Sequence, residues 1–335
     1  MEFNYFIGCD VSKKKLDFAI MRGKEFLYHK EIANEASAIK SLKGEFKKLP
    51  EFDLAKAIFC MEHTGIYSNH LLVFLHNKKA NICLEAATHI KNSLGNIRGK
   101  NDKVDAIRIA EYAYKNREEL RLWQPKREVV QKLAYLATTR ARLVEAQKQL
   151  KTPLNEAKEF ISKSVATQLA KTCQSSLKSI AEDIEKIEEE MDELIKSDEE
   201  LNRLFSIVTS VKGIGAVTAT QVIITTNEFK DINDPKKFAC YAGVVPFKKE
   251  SGMFKGKARV SNMANKTVKA LLNMAAFSAI AHDPELKKYY ERKINEEKKP
   301  PMQVVNAVRN KLVLRIFACV KQNRKYQKNY TRNVA

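Results

Sequence analysis

No run in this 335-residue chain is apolar for the roughly 20 residues that a membrane-crossing helix needs, so a helical membrane protein is not expected. Met1-Glu2-Phe3-Asn4 lacks the basic-then-apolar pattern of a secretory signal, which leaves a cytoplasmic protein as the expectation. The six cysteines (Cys9, Cys60, Cys83, Cys173, Cys240, Cys319) stand singly with no C-x-x-C pair, which argues against a zinc knuckle or a redox motif. They read as small buried hydrophobes in a reducing compartment. The six histidines show no metal-ligand spacing. Negative charge is scarce: 40 Asp and Glu face 60 Lys and Arg, a formal net charge of +20. Such a surplus points to a polyanionic partner, nucleic acid before an anionic membrane. A composition 44% hydrophobic and 30% charged excludes wholesale disorder, and the length suits two or three domains.

Strand and helix patterns alternate first. Residues 4–10 predict a strand, Val11–Lys14 a tight turn, and Leu16–Met21 and Glu25–Ile32 two further strands. Ala36–Leu49 predicts a helix, 56–62 a strand, Tyr67–Asn77 a helix, Asn81–Ala86 a strand and Thr88–Leu94 a short helix. A polar loop over 95–101 leads into a helix from Asp102 to about Asn116. This is a mixed-sheet α/β domain, taken as residues 1–125, with Trp123 sealing its end. Residues 126–203 predict a helical hairpin: one helix from Lys126 to Leu150, a break at Pro153, and a second carrying Leu177, Ile180, Ile184, Ile187, Met191 and Leu194 at coiled-coil spacing. Residues 204–335 form a third, mainly helical part. It has a glycine-rich loop over Gly243–Gly256, an apolar helix at Val268–Ala281, and a final amphipathic helix from Met302 that ends in a basic strip from Lys321 to Arg332.

Four carboxylates carry the chemistry. Asp10 and Glu62 each end an apolar strand pattern, and Asp102 and Asp105 lie three apart on the first turn of a helix, hence on one face. Hard oxygen donors of this kind suit Mg²⁺, with Mn²⁺ as its substitute, and a pair of such ions can clamp the two oxygens of a phosphoryl displacement. The same residues also fit a structural role, with Asp102 as helix N-cap and Asp105 as a first-turn acid. Gly213 and Gly215 open a helix in the manner of a helix–hairpin–helix backbone grip, or simply form a tight turn. Ser251 lies among Lys248, Lys249, Lys255, Lys257 and Arg259, a frame suited to phosphate. Lys13 and Lys100 flank the carboxylates in sequence and join the nucleic-acid-contacting set. By residue type alone Ser251 reads more readily as a phosphate contact than as a nucleophile, since a hydroxyl needs activation.

Six segments resemble a known family. Ile7–Lys14, Glu62-His63-Thr64-Gly65 and Lys100–Ala106 are similar to the DEDD domain of the IS-one-ten group of insertion-sequence transposases. Val211–Gly215, Tyr241–Pro246 and Glu250-Ser251-Gly252 resemble that group's C-terminal transposase domain, in the same order over nearly the whole chain. The resemblance implies an RNase H-like N-terminal domain with Asp10, Glu62, Asp102 and Asp105 as a Mg²⁺ cage. It also implies a recombinase that cuts and rejoins donor and target DNA through Ser251 as a covalent phosphoserine. A structured guide RNA encoded by the element, and a homo-oligomer (dimer or tetramer, built through the heptad region) in a nucleoid-associated cytoplasmic setting, complete the expectation. Asn101 stands where the family usually has threonine, and Val260–Asn265 is less basic and lacks a glycine common there.

The competing expectation is a metal-dependent resolvase or RNase H-like nuclease in which water attacks. An actin-like kinase would need a second Asp-Gly phosphate loop, which the sequence lacks, and a non-catalytic scaffold would bind nucleic acid without needing Mg²⁺.

Overall fold

The computed structural model describes residues 2–93, 101–248, 250–252 and 254–328. It divides into two compact units, Met1–Pro125 and Lys126–Ala335.

The first unit is built on β1 (Tyr5–Val11), β2 (Lys15–Arg22), β3 (Glu25–Ala33), α1 (Ala36–Phe46), β4 (Ala57–Glu62), α2 (Asn69–Asn77), β5 (Asn81–Glu85), α3 (Ala87–Ser93) and α4 (Asp102–Lys115). The sheet order is β3-β2-β1-β4-β5. β1, β2 and β3 are antiparallel neighbours, and β4 and β5 continue the sheet parallel to β1. This is the mixed five-stranded sheet of the RNase H-like fold.

Strand alternation assigns the two faces. Tyr5, Ile7, Cys9 and Val11 join Phe59 and Met61 in the core covered by α1 and α2. Phe6, Ile58, Cys60 and Cys83 pack on the other face against Ala106, Ile109, Ala110 and Ala113 of α4. Small residues on α4 let it lie close to the strands. Gly8 sets the closest approach, because a methyl group there would lie 2.1 Å from the Ala106 carbonyl oxygen and 2.4 Å from the Ala110 nitrogen. Gly8→Ala is therefore expected to push α4 away and destabilise the protein by about 2–3 kcal/mol, the upper part of the range for overpacking. Thermal denaturation of the full chain checks this, with loss of DNA cleavage as the companion readout. Trp123 closes the unit: its amide donates to Ile82 O at 2.7 Å and its ring packs edge-on to His76.

The second unit begins with α5 (Glu128–Phe160) and α6 (Lys163–Ser197), a long hairpin tied by Arg140–Glu188 and Lys132–Glu190 ion pairs. The expected break at Pro153 does not occur, and α5 runs through it to Phe160. Pro153 is exposed, so water can meet the backbone carbonyl that the ring leaves unpaired. The expected heptad residues line the face of α6 toward α5: Met191 is buried and Leu177, Ile180, Ile184, Ile187 and Leu194 are half-buried.

Next come α7 (Glu199–Thr209), α8 (Ala216–Thr226) and α9 (Pro235–Tyr241). A short ribbon follows, with β6 (Pro246–Phe247), β7 (Glu250–Ser251), β8 (Phe254–Lys255) and β9 (Arg259–Val260), and then α10 (Lys266–His282), α11 (Pro284–Asn295) and α12 (Pro301–Lys321). The glycine-rich segment expected as a loop is thus two nested antiparallel pairs, β6 with β9 and β7 with β8, too short for strand periodicity to show. α11 goes beyond the sequence expectation, although Asp283 as N-cap followed by Pro284 is a helix-start signal. α12 is the expected amphipathic helix, and its apolar face, with Val304, Val308, Leu312, Ile316 and Phe317, is buried in the core. Of the expected basic strip, Arg332 lies outside the described residues.

The root of the hairpin and the later helices share one core, in which Val130, Leu133, Met191 and Ile195 meet Leu201, Leu204, Val222, Leu272 and Leu312. A polar hub pins the entry to α5. Arg127 binds Asp198 at 2.7 and 2.8 Å and reaches fully buried Glu228 through Nε at 3.0 and 3.1 Å. Glu228 lies in a run of three left-handed residues, Asn227, Glu228 and Phe229, with φ of 49°, 57° and 63°. Such a run is costly for residues with a side chain and needs strong contacts to hold it.

Candidate active site

Asp10 is the penultimate residue of β1, and Glu62 ends its parallel neighbour β4, one step beyond the Cys9–Met61 pairing. Both fall on the face that α4 covers, in phase with Gly8 and Cys60. α4 starts at this same end of the sheet. Its N-cap is Asn101, whose side chain accepts from Val104 N at 2.8 Å. Asparagine caps as well as the family's threonine, so that departure leaves the helix start intact. Asp102 and Asp105 occupy the first turn, where the helix dipole favours negative charge.

Electrostatics tie the four together. Burial first, and then the charges of Asp102, Asp105, Glu62 and Asp17, push the Asp10 carboxyl up to about 6. Cations already sit among these groups. Lys15 Nζ lies 2.8 Å from Asp102 Oδ2, and Arg108 donates to Asp105 Oδ1 at 2.9 Å. Among the described residues no group of three or more His, Cys, Asp or Glu side chains is drawn in closely enough to hold a metal ion. The donor set nevertheless fits a hard divalent cation. It consists of carboxylate oxygens, and one of them, on Asp10, is held well above the usual carboxylate range by burial first and then by the charges of its neighbours.

Sequence reasoning missed several residues here. Asp17 is paired in register with Asp10, is only 3% exposed, and shares a hydrogen bond of 2.8 Å with His29 Nε2. Glu85 ends β5 beside Glu62 and takes hydrogen bonds from Tyr112 Oη at 3.0 Å and Ala86 N at 2.9 Å, with His89 Nδ1 also at 2.9 Å. Cross-strand register, which local pattern does not encode, brings both into place. Lys13 is exposed in the β1–β2 turn, at the same end of the sheet as Asp10. Lys100 lies outside the described residues.

In the second unit Ser251 is exposed on β7, paired with Phe254 across a turn opened by Gly252 at φ +55°, the left-handed value that tight hairpins require. Lys248, Lys257 and Arg259 are exposed on the same ribbon. Lys249 and the Lys255 side chain lie outside the described residues. Gly213, at φ +92°, packs against α10, where a methyl group would lie 2.6 Å from Ala279 Cβ. Its lack of a side chain thus serves helix packing. Gly215, the N-cap of α8, has open space in front of it and leaves that helix start approachable.

An RNase H-like sheet with carboxylates gathered at the C-terminal ends of adjacent parallel strands defines a class of enzymes that break and join nucleic-acid strands. A DEDD-type transposase family of the IS110 group matches residues 7–159, and the Transposase IS116/IS110/IS902 family matches residues 205–291. The chain is similar to the pilin gene-inverting proteins of Moraxella bovis and Moraxella lacunata, each 28% identical over 273 residues, covering 80% of this chain and 81% of the relative. It is also similar to an uncharacterized 43.6 kDa protein of insertion element IS110 from Streptomyces coelicolor, 24% identical over 153 residues, covering 46% of this chain and 36% of that protein. The chain belongs to the IS110 type of transposase and is a DNA transposase or recombinase. No helix among the described residues is long and apolar enough to cross a membrane.

Proposed function

We propose that this transposase cuts and rejoins DNA at the ends of an insertion sequence, with Asp10, Glu62, Asp102 and Asp105 as its divalent-cation site and Ser251 as its nucleophile. The observation that carries the reading is Asp10, a carboxyl at the mouth of the sheet held near pH 6 by burial and by neighbouring carboxylates. Carboxylates set among like charges at the end of a sheet are suited to holding a cation, which relieves their repulsion. Mg²⁺, or Mn²⁺ in its place, would neutralise phosphate charge and polarise an oxygen of the scissile group there.

In the serine step a bond forms between Ser251 Oγ and phosphorus as the bond from phosphorus to the departing strand's oxygen breaks. The hydroxyl proton passes to a base, and the departing oxygen takes up a proton. The phosphoserine ester conserves the energy of the phosphodiester, so rejoining is the reverse step and needs no ATP. Exposure on a hairpin turn beside Lys248, Lys257 and Arg259 supports this role, because a scissile phosphate can approach it. Support also comes from the Moraxella relatives, which are named for gene inversion, since inverting a segment requires cut ends to be rejoined.

Donor and target DNA are the substrates in this reading, and a structured RNA from the element's own end guides them. The +20 surplus supports a large nucleic-acid footprint read through backbone and shape. A homo-oligomer, dimer or tetramer, is supported by the hairpin tip, where Phe160 (82% exposed), Ile161, Val165 and Leu169 face solvent.

Ser251→Ala decides the nucleophile. With end-labelled donor DNA and the candidate RNA, the wild type is expected to give a protein–DNA adduct on a denaturing gel, and the alanine variant neither adduct nor cleavage. Continued cutting without an adduct would favour the water-attacking nuclease, with Ser251 a phosphate contact only.

A further inference from the structure

We infer that Lys15 is a tethered counter-ion of the carboxylate site and must leave Asp102 when a divalent cation binds. The inference rests on the reading of Asp10, Glu62, Asp102 and Asp105 as the metal site, and adds a residue that neither the motif nor its spacing marks.

Register across the sheet explains why such a cation is needed. Asp10 on β1 pairs with Asp17 on β2, and Asp17 pairs with Glu31 on β3, so three acidic residues form a row across three strands. Like charges placed directly opposite one another destabilise a sheet. The row runs into the first turn of α4, which adds Asp102 and Asp105. Lys15 opens β2, two residues before Asp17 and on the same face. Its Nζ lies 2.8 Å from Asp102 Oδ2, 2.9 Å from Glu31 Oε2 and 3.7 Å from Asp17 Oδ2. One ammonium thus joins β2, β3 and α4 and neutralises part of a cluster that would otherwise repel itself. Two further side chains meet the cluster: Arg108 binds Asp105 at 2.9 Å, and His29 Nε2 lies 2.8 Å from Asp17 Oδ1.

This geometry makes Lys15 a competitor for the metal. An ammonium in contact with an Asp102 oxygen stands where a divalent ion must bring its own positive charge, and two cations repel. Lys15 can also yield without being stranded. On leaving Asp102 it keeps Glu31 at hydrogen-bond distance and has Asp17 within reach, so a small rotation of the side chain exchanges one carboxylate for another. Lys15 is a positioning residue in this account and touches no reacting atom.

The test is titration of Mn²⁺ into the metal-free full-length protein, following free Mn²⁺ by electron paramagnetic resonance. It compares the wild type with Lys15→Met, Lys15→Gln, Lys15→Arg and Asp10→Asn. Lys15→Met and Lys15→Gln are expected to bind Mn²⁺ about two- to fivefold more tightly than the wild type, the scale of removing one partly exposed charge contact. Lys15→Arg should keep the wild-type affinity, and Asp10→Asn should lose the site. Equal or weaker binding by both neutral variants, with the Asp10-dependent site still present in the wild type, would overturn the role of Lys15 alone. Identical binding by the wild type and Asp10→Asn would overturn the metal reading, and the inference with it. Circular dichroism on each variant confirms that the fold is retained.

Discussion

Asp10→Asn is expected to make the protein more stable and inactive at once. The carboxyl is raised to about 6 by burial and by the charges of Asp102, Asp105, Glu62 and Asp17, against 3.8 in an unstrained setting. A carboxylate raised in the folded state favours folding only while it is protonated. Its contribution is fully present below the unfolded value near pH 4 and is lost as pH rises through about 6. At pH 8 the ionised group therefore opposes folding. Because Asp10 is only half-buried, solvent screens part of the effect, and the neutral amide should add about 1–2 kcal/mol of stability at pH 8 and little at pH 4. DNA cleavage should fall about 10³-fold or more, since the reaction loses a group that would hold the cation against the scissile phosphate. Chemical denaturation at the two pH values, paired with a cleavage assay at pH 8, reads both halves. A variant that is inactive because it is unfolded would fail the first half. One that is stabilised yet fully active would fail the second and remove Asp10 from the chemistry.

Arg127→Ala should be strongly destabilising. The guanidinium grips Asp198, the N-cap of α7, and Glu228, whose side chain is fully buried in the left-handed turn after α8. Burial raises the cost of charge on Glu228, but hydrogen bonds from Arg127 and Lys230 outweigh it and hold its carboxyl below the usual range. Asp198 is held low mainly by Arg127. Without Arg127 a buried carboxylate loses its principal partner, and three consecutive left-handed residues lose the contact that stabilises them. Breaking a buried pair in this way costs about 3–5 kcal/mol, and partial exposure of Arg127 and Asp198 places the expectation near 3 kcal/mol. Both acids are lowered, so the stability they confer is present above their unfolded values near pH 4 and is lost as pH falls through the folded ones. The gap between wild type and Arg127→Ala, measured by denaturant titration, should therefore be full at pH 7 and shrink below pH 4. A replacement costing under about 1 kcal/mol at pH 7 would reduce the hub to a surface ion pair.

The parts of the fold legible in the sequence are those with local periodicity. β1, β2, β4 and β5 follow apolar runs, α4 follows a cap and a first-turn acid pair, and α6 follows a heptad seam. The gathering of Asp10, Glu62, Asp102 and Asp105 can be read because each ends a strand or begins a helix, and a parallel β1–β4 pair must bring two such ends together. Relations between distant residues are not legible. Asp17 reads as one polar residue in an apolar strand until the register sets it opposite Asp10. Lys15 reads as part of a basic turn until β3 and α4 surround it. Arg127 meets partners 71 and 101 residues away. Pro153 misleads for the opposite reason, since a strong local breaker is overridden by continuous packing of α5 on α6. The ribbon that carries Ser251 escapes because two-residue strands have no period to detect.

Anomalous diffraction from crystals grown with Mn²⁺ tests the central claim most directly. Peaks bounded by Asp10, Glu62 and the first turn of α4, absent from Asp10→Asn crystals, are expected. Mn²⁺ bound only at other carboxylates, with Asp102 and Asp105 still paired to Lys15 and Arg108, would contradict it.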